Sequence, residues 1–230
     1  MSEPTSTPSR LFRDWHAART GTPFFVRLVK PSGGRAKRCW PGDDEVIKCV
    51  KKAIHPWLYE VRPVYGAQHP IEVIVYEADE EDKAREANRH TSLGCMIRFD
   101  DIYSGKCVLG RIGDDDTQNT VGKAAPSRVI RLQRAQRWGT ENVENPWYKV
   151  VTLAFLFRDS ERASLTAIIM HEFGHLLGLE HSLKAGSMLW AQQLERDPLP
   201  RHLQVGWKAP QFLNATDSDS VAKMIQTLTP

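Results

Sequence analysis

The residues best suited to chemistry lie together in one run, residues 171–181, which reads HEFGHLLGLEH. His171 and His175 stand four apart. On a helix they differ by about 40° around the axis and about 6 Å along it, so both imidazoles reach one ion. Glu172 is turned about 100° from His171, which lets its carboxylate address a water on that ion without occupying a coordination position. His181 joins the set only if the helix stops, because a continuous helix would carry it about 15 Å beyond His171. Gly178 supplies the stop, since glycine adopts the left-handed backbone that ends a helix and folds the chain back. Three histidines with one position left over is the ligand set of catalytic rather than structural zinc. Five fixed positions of this kind arise by chance in roughly 4 × 10⁻⁵ of chains of this composition, so they outweigh two histidines alone.

Such residues need a scaffold. The opposite face of the same helix carries Ile169, Phe173, Leu176 and Leu177, a stripe that anchors it to a sheet while the histidines face a cleft. The helix is expected to begin within residues 160–164, after a central strand over residues 150–157 (VVTLAFLF), an almost unbroken apolar run. Upstream, residues 24–30 (FFVRLVK) read as a first strand, ended by Pro31-Ser32-Gly33-Gly34. A helix capped by Asp43 or Asp44 runs through about Trp57, with Val46, Ile47, Val50, Ile54 and Trp57 recurring at three and four. Residues 71–76 (IEVIVY) alternate as a strand, and the charged residues 77–89 follow as a solvated loop or exposed helix. Shorter strands are expected at residues 95–99, 107–112 and 128–132, loops at 197–200 and 206–210, and a closing helix over 217–228. Residues 1–20, rich in Ser, Thr, Pro and Arg, read as a flexible N-terminal arm, and residues 21–230 as one domain.

The run HEFGHLLGLEH resembles the metzincin zinc-peptidase signature HExxHxxGxxH. Met188, in Ala185-Gly186-Ser187-Met188, lies seven residues after His181, where metzincins carry the methionine of a tight turn beneath the metal. Ser182, directly after His181, is similar to the matrixin branch. Trp190 stands where astacins and serralysins usually have a tyrosine ligand, which argues against those branches. The resemblance is tight over about residues 165–190 and topological elsewhere. It implies an α+β, metzincin-like zincin domain: a twisted, mostly parallel sheet of about five strands, with an active-site helix, a packing helix and a C-terminal helix. It also implies a zinc-dependent endopeptidase that hydrolyses peptide bonds with metal-activated water. His171, His175 and His181 would hold one catalytic Zn2+, Glu172 would be the general base, Met188 would form the structural turn and Gly178 the helix break. The patterns of further zinc and calcium loops are not evident between residues 77 and 150, so calcium has no support. The alternative is a zinc-binding, metzincin-fold protein-binding module without turnover; the intact Glu172 favours the enzyme.

The rest of the chain narrows the partners. With 31 basic and 28 acidic residues the net charge is +3, which argues against nucleic acid. No apolar run approaches the ~18 residues that a membrane span needs. The polar opening MSEPTSTPSRLFRDW does not read as a secretory leader, so retention in the cell, unconventional export and prior trimming all stay open. A monomer acting on a protein or peptide substrate is expected, with an extended substrate added to an edge strand, either 107–112 or 128–132. Residues 189–207 are expected to wall the pocket for the residue after the cut.

Cys39, Cys49, Cys95 and Cys107 form no CxxC pair, and reduced thiols are at least as reasonable as two disulfides. Arg38-Cys39-Trp40-Pro41-Gly42-Asp43 loosely resembles an inhibitory cysteine segment, yet its Pro and Gly order differs and it follows a strand of the domain. Asp114-Asp115-Asp116 reads better as a solvated acidic turn than as a calcium loop. Arg128, Arg131, Arg134 and Arg137 read as a solvated face, and His55, His69, His90 and His202 have no partner at ligand spacing.

Overall fold

The computed structural model describes residues 6–31, 40, 42–63, 69–100, 110–112, 129–133, 159–184, 186–189 and 212–228. In chain order these form α1 (Arg10–Ala17), β1 (Phe24–Val29), α2 (Asp43–Val61), β2 (Ile71–Tyr76), a 3-10 turn (Ala78–Glu80), α3 (Glu81–Arg89), β3 (Gly94–Asp100), β4 (Gly110–Ile112), β5 (Val129–Gln133), α4 (Asp159–Leu176) and α5 (Ala215–Gln226). The five strands make one sheet in the order β2-β1-β3-β5-β4. Pairing is parallel between β1 and β2, β1 and β3, and β3 and β5, and antiparallel only between β4 and β5. Parallel strands cannot be joined by a tight hairpin, which is why α2 links β1 to its neighbour β2, and α3 carries the chain from β2 to β3 on the far side of β1.

Strand β1 shows why the apolar run at residues 24–29 hardly alternates. Phe24, Val26 and Leu28 enter the main core with α2 and α4, while Val29 packs on the other side with Met96 and Ala84 of α3. A strand covered on both faces is apolar on both. Cys49 and Cys95 are buried in the main core. The mostly parallel sheet of five strands expected from the sequence is therefore present among the described residues.

Helix α2 differs in detail from the expectation. Its N-cap is Gly42, without a side-chain cap. Asp43 instead accepts a hydrogen bond from Trp40 Nε1 at 2.8 Å and pairs with Lys30 at 3.1 Å, tying the helix start to the end of β1. The helix also runs one turn past Trp57 and through Pro56, because Leu58 and Val61 continue the buried stripe. Ile47 is only half-buried, and Cys49 and Ala53 complete the stripe in its place.

The N-terminal segment corrects the sequence reading. Residues 10–17, expected within a flexible arm, are helix α1, capped by Ser9, whose Oγ accepts from Phe12 N. Leu11, Phe12 and Trp15 recur at the spacing of one helical face and are each no more than 2% exposed. Trp15 donates its indole N–H to Leu58 O at 3.0 Å and meets Phe24 edge-on, with centroids 5.6 Å apart. Composition concealed three large apolar side chains that find their core only in three dimensions.

Arg131 lies on β5, in register with Arg98 of β3 and Arg111 of β4, so this part of the threefold arginine spacing belongs to a strand. His69 is buried and bonded to Arg62 O, and exposed His90 pairs with Glu86. The predicted strand at 150–157, the loops at 197–200 and 206–210, Cys39, Cys107, Asp114 to Asp116, Arg128, Arg134, Arg137, Trp190 and His202 lie outside the described residues. Among the described residues no helix is long and apolar enough to cross a membrane.

Candidate metal centre

Helix α4 carries the motif, and its packing explains which way the motif faces. Ile169, Met170, Phe173 and Leu177 are fully buried and Leu176 nearly so. Phe173 meets Phe24 of β1 edge-on, with centroids 5.6 Å apart. Trp57 of α2 donates its indole N–H to Met170 O at 2.7 Å, which fixes α4 against α2. Gly174 sits where the packing is tightest: a Cβ there would lie 2.9 Å from Trp57 Cζ2 and 2.9 Å from Leu189 Cδ2. We expect Gly174→Ala to destabilise the domain by about 1–3 kcal/mol through overpacking, read as a lower urea midpoint with an unchanged m-value. An unchanged midpoint would contradict this contact.

The helix ends where His181 requires it to. Gly178 has φ +100°, and the two bonds of a Schellman cap are present: Gly178 N to His175 O at 2.9 Å and Leu179 N to Gly174 O at 3.1 Å. The chain turns back, and His171, His175 and His181 converge with one ligand atom of each within 4.8 Å of the others. Ring centroids are 4.7 Å apart for His171 and His175, 5.4 Å for His171 and His181, and 4.6 Å for His175 and His181.

The hydrogen bonds decide the tautomers. His171 Nδ1 is 2.8 Å from Met188 O, and His175 Nδ1 is 2.7 Å from Leu179 O. A carbonyl only accepts, so each Nδ1 carries the proton and each Nε2 presents a lone pair. Those two Nε2 atoms lie 3.1 Å apart. Two facing lone pairs repel, and a cation between them and His181 relieves that repulsion. Nitrogen donors oriented by backbone carbonyls fit zinc well.

Burial sets the charge state. It pushes His171 down to about 3, helped by the neighbouring His175, and pushes His175 down to about 4. Both are therefore neutral and available as ligands at neutral pH. Burial also pushes the Glu172 carboxyl, 5% exposed, up to about 8. These shifts oppose one another in the stability of the metal-free domain. Below the ordinary histidine value of 6.5 the unfolded chain takes up protons that the folded site refuses, so stability falls as pH drops toward about 4. Between 4.5 and about 8 the folded Glu172 holds a proton that the unfolded chain releases, so stability falls as pH rises. The site's contribution therefore peaks near pH 6.5. Above that pH, Glu172→Gln removes an alkaline decline of about 2 kcal/mol. Urea titrations of the metal-free protein and of Glu172→Gln between pH 5 and 8 check this; parallel pH profiles would refute it.

Met188, 1% exposed, is held by a residue that the motif does not contain. Asp217 of α5, also 1% exposed, accepts from Met188 N at 3.0 and 3.1 Å, from Ser187 Oγ at 2.5 Å and from Asn214 N at 2.9 Å. Ser182 N donates to Leu189 O at 2.8 Å, which closes the loop from His181 to the methionine turn. Sequence reasoning placed Asp217 only at the start of the closing helix expected over 217–228. Its local signal was a capping box, Asn214 with Asp217, and nothing in that box announces a bond to residue 188.

The sequence profile of the Matrixin family matches residues 64–198, more than half of the chain. The chain belongs to the matrixin family. Matrixins are zinc-dependent metallopeptidases, and the histidine triad lies within the matched residues. The match spans β2 through the methionine turn. Helices α1, α2 and α5 and strand β1 lie outside it, although α2 and α5 hold α4 and Met188 in place. Comparison with curated proteins found none that matches.

Proposed function

We propose that this matrixin is a zinc-dependent endopeptidase in which His171, His175 and His181 hold one zinc ion and Glu172 is the general base. The observation that carries this reading is the pair of Nδ1–H groups committed to backbone carbonyls, which aims the Nε2 lone pairs of His171 and His175 at one point beside His181. Zinc supplies Lewis-acid activation of water and of the scissile carbonyl. Glu172 accepts the proton of the attacking water and returns it to the departing amine nitrogen, so that a peptide bond and a water become a carboxylic acid and an amine, which at neutral pH exchange a proton to give carboxylate and ammonium. Its burial supports this role, because a carboxyl pushed upward by desolvation is basic enough to take a proton near neutral pH.

The substrate is an extended peptide added alongside β4. Of the two strands that sequence reading offers, β5 is paired on both sides, by β3 and β4, and has no edge left to offer. Strand β4 ends the sheet among the described residues. An added strand satisfies the backbone groups of peptide and edge together. Leu189, at the start of the expected pocket wall, is buried; the rest of that wall lies outside the described residues.

The test joins metal content to cleavage. Zinc at one per chain, with chelator-sensitive cleavage of a mixed peptide library inside the peptides, is the expected result. Zinc without any cleavage would favour a protein-binding module instead. Release of single terminal residues would exclude endopeptidase action.

A further inference from the structure

We propose that residues 6–9 are a positioning strap of the metal centre, so that metal affinity depends on a segment far from the motif in sequence. This rests on the zinc reading given above. The turn between the second and third histidines, residues 177–180, is bonded to this segment at three places. Ser9 N donates to Leu177 O at 3.0 Å, Thr7 N donates to Gly178 O at 3.2 Å, and Glu180 N donates to Ser6 Oγ at 3.1 Å. Pro8, which has no N–H, falls between the two backbone donors.

The contact is close enough to constrain the turn. A Cβ on Gly178 would lie 2.0 Å from Thr7 O and 2.7 Å from Ser9 N. Glycine is thus required at 178 twice over, by its positive φ and by the strap that lies on it. The turn in turn aims ligands. Leu179 O accepts the Nδ1–H of His175, and His181 follows two residues later.

The strap is itself anchored. Ser9 is both its last residue and the N-cap of α1. Helix α1 is fixed to α2 by Trp15 Nε1 on Leu58 O and by the Arg62 guanidinium on Ala18 O. Helix α2 is fixed to α4 through Trp57 and Met170 O. These links close a circuit from α4 through α2, α1 and the strap back to the end of α4. Geometry at the third ligand is therefore held from outside the active-site helix as well as by its cap.

The test compares the full chain with the double variant Ser6→Ala, Thr7→Pro, which removes one acceptor and one backbone donor and leaves the Ser9 cap intact. Zinc affinity is measured by competition with a chromophoric chelator, and the visible absorption of the cobalt(II)-loaded protein is recorded. The double variant is expected to bind zinc about tenfold more weakly, the low end of what losing a ligand-orienting partner costs, with an altered cobalt band. Ser6→Thr, which keeps the hydroxyl, is expected to bind as the unaltered chain does. Met96→Ala, in the small cluster on the other side of the sheet and outside this circuit, is expected to lower the thermal midpoint and leave zinc affinity unchanged. Equal zinc affinity in the double variant and the unaltered chain overturns the strap alone. Failure of the unaltered chain to bind zinc overturns the strap and the zinc reading together.

Discussion

Glu172→Gln is expected to lower kcat/KM for peptide hydrolysis by about 10²–10⁴-fold and to leave one zinc ion on each chain. The substitution keeps the shape of a side chain that is 5% exposed and removes only its capacity to take a proton. Metal retention follows from the ligand geometry, because Glu172 is not among the three residues whose ligand atoms converge. The pH profile separates this role from a structural one. A base must be ionised to act, so activity rises with pH through the pKa of Glu172. Burial alone sets that value at about 8 in the metal-free site, and a cation on the adjacent histidines draws it down. The unaltered protein should therefore show an acid limb below about 8 that is absent from the residual activity of Glu172→Gln. Full activity in the variant, or an unchanged acid limb, would remove Glu172 from the mechanism.

Asp217→Ala is expected to destabilise the domain by about 3 kcal/mol or more. The carboxylate is 1% exposed and accepts bonds from Met188 N, Ser187 Oγ and Asn214 N. Truncation leaves Met188 N buried without its acceptor and removes an acceptor from Ser187 Oγ and from the part-buried Asn214 N, each loss costing roughly 1–3 kcal/mol where the donor is buried. The damage should reach the metal centre, because Met188 O orients His171 through Nδ1. Asp217→Asn keeps one carbonyl oxygen and the side-chain volume, so an intermediate loss is expected. Urea unfolding of the two variants, together with zinc competition, tests both parts. An alanine variant as stable as the unaltered chain would mean that these bonds contribute little. Loss of stability without loss of zinc affinity would separate Asp217 from the orientation of His171.

Some elements were legible because their signal is local. Strands β1 and β2 occur where apolar runs and breakers place them, and α2 follows its stripe of apolar residues at three and four. The turn at Gly178 was legible for a stronger reason. Three histidines of this spacing meet only if the helix ends between the second and the third, and one glycine stands there with φ +100°. The errors have physical causes too. Local composition of residues 1–20 reads as an arm, since Ser, Thr, Pro and Arg outweigh Leu11, Phe12 and Trp15 in any average. Folding weighs buried area rather than frequency, and three large side chains suffice to dock α1. The choice between Asp43 and Asp44 as a helix cap failed because Asp43 is engaged by Trp40 and Lys30.

By itself the sequence determined which three histidines converge, the helix that carries two of them and its break, because each follows from periodicity or from a geometric condition within a few turns of chain, while the mostly parallel sheet was legible only through the family resemblance. Only the tertiary structure decided which backbone carbonyls orient His171 and His175, that Asp217 holds Met188, that Gly174 lies against Trp57, and that residues 6–9 lie on the turn at Gly178. Each of those contacts joins segments whose meeting depends on how the helices pack around the sheet. The three convergent histidines lie within eleven consecutive residues, 171–181, and the bonds on their turn and on the methionine turn come from residues as distant in sequence as Ser6 and Asp217.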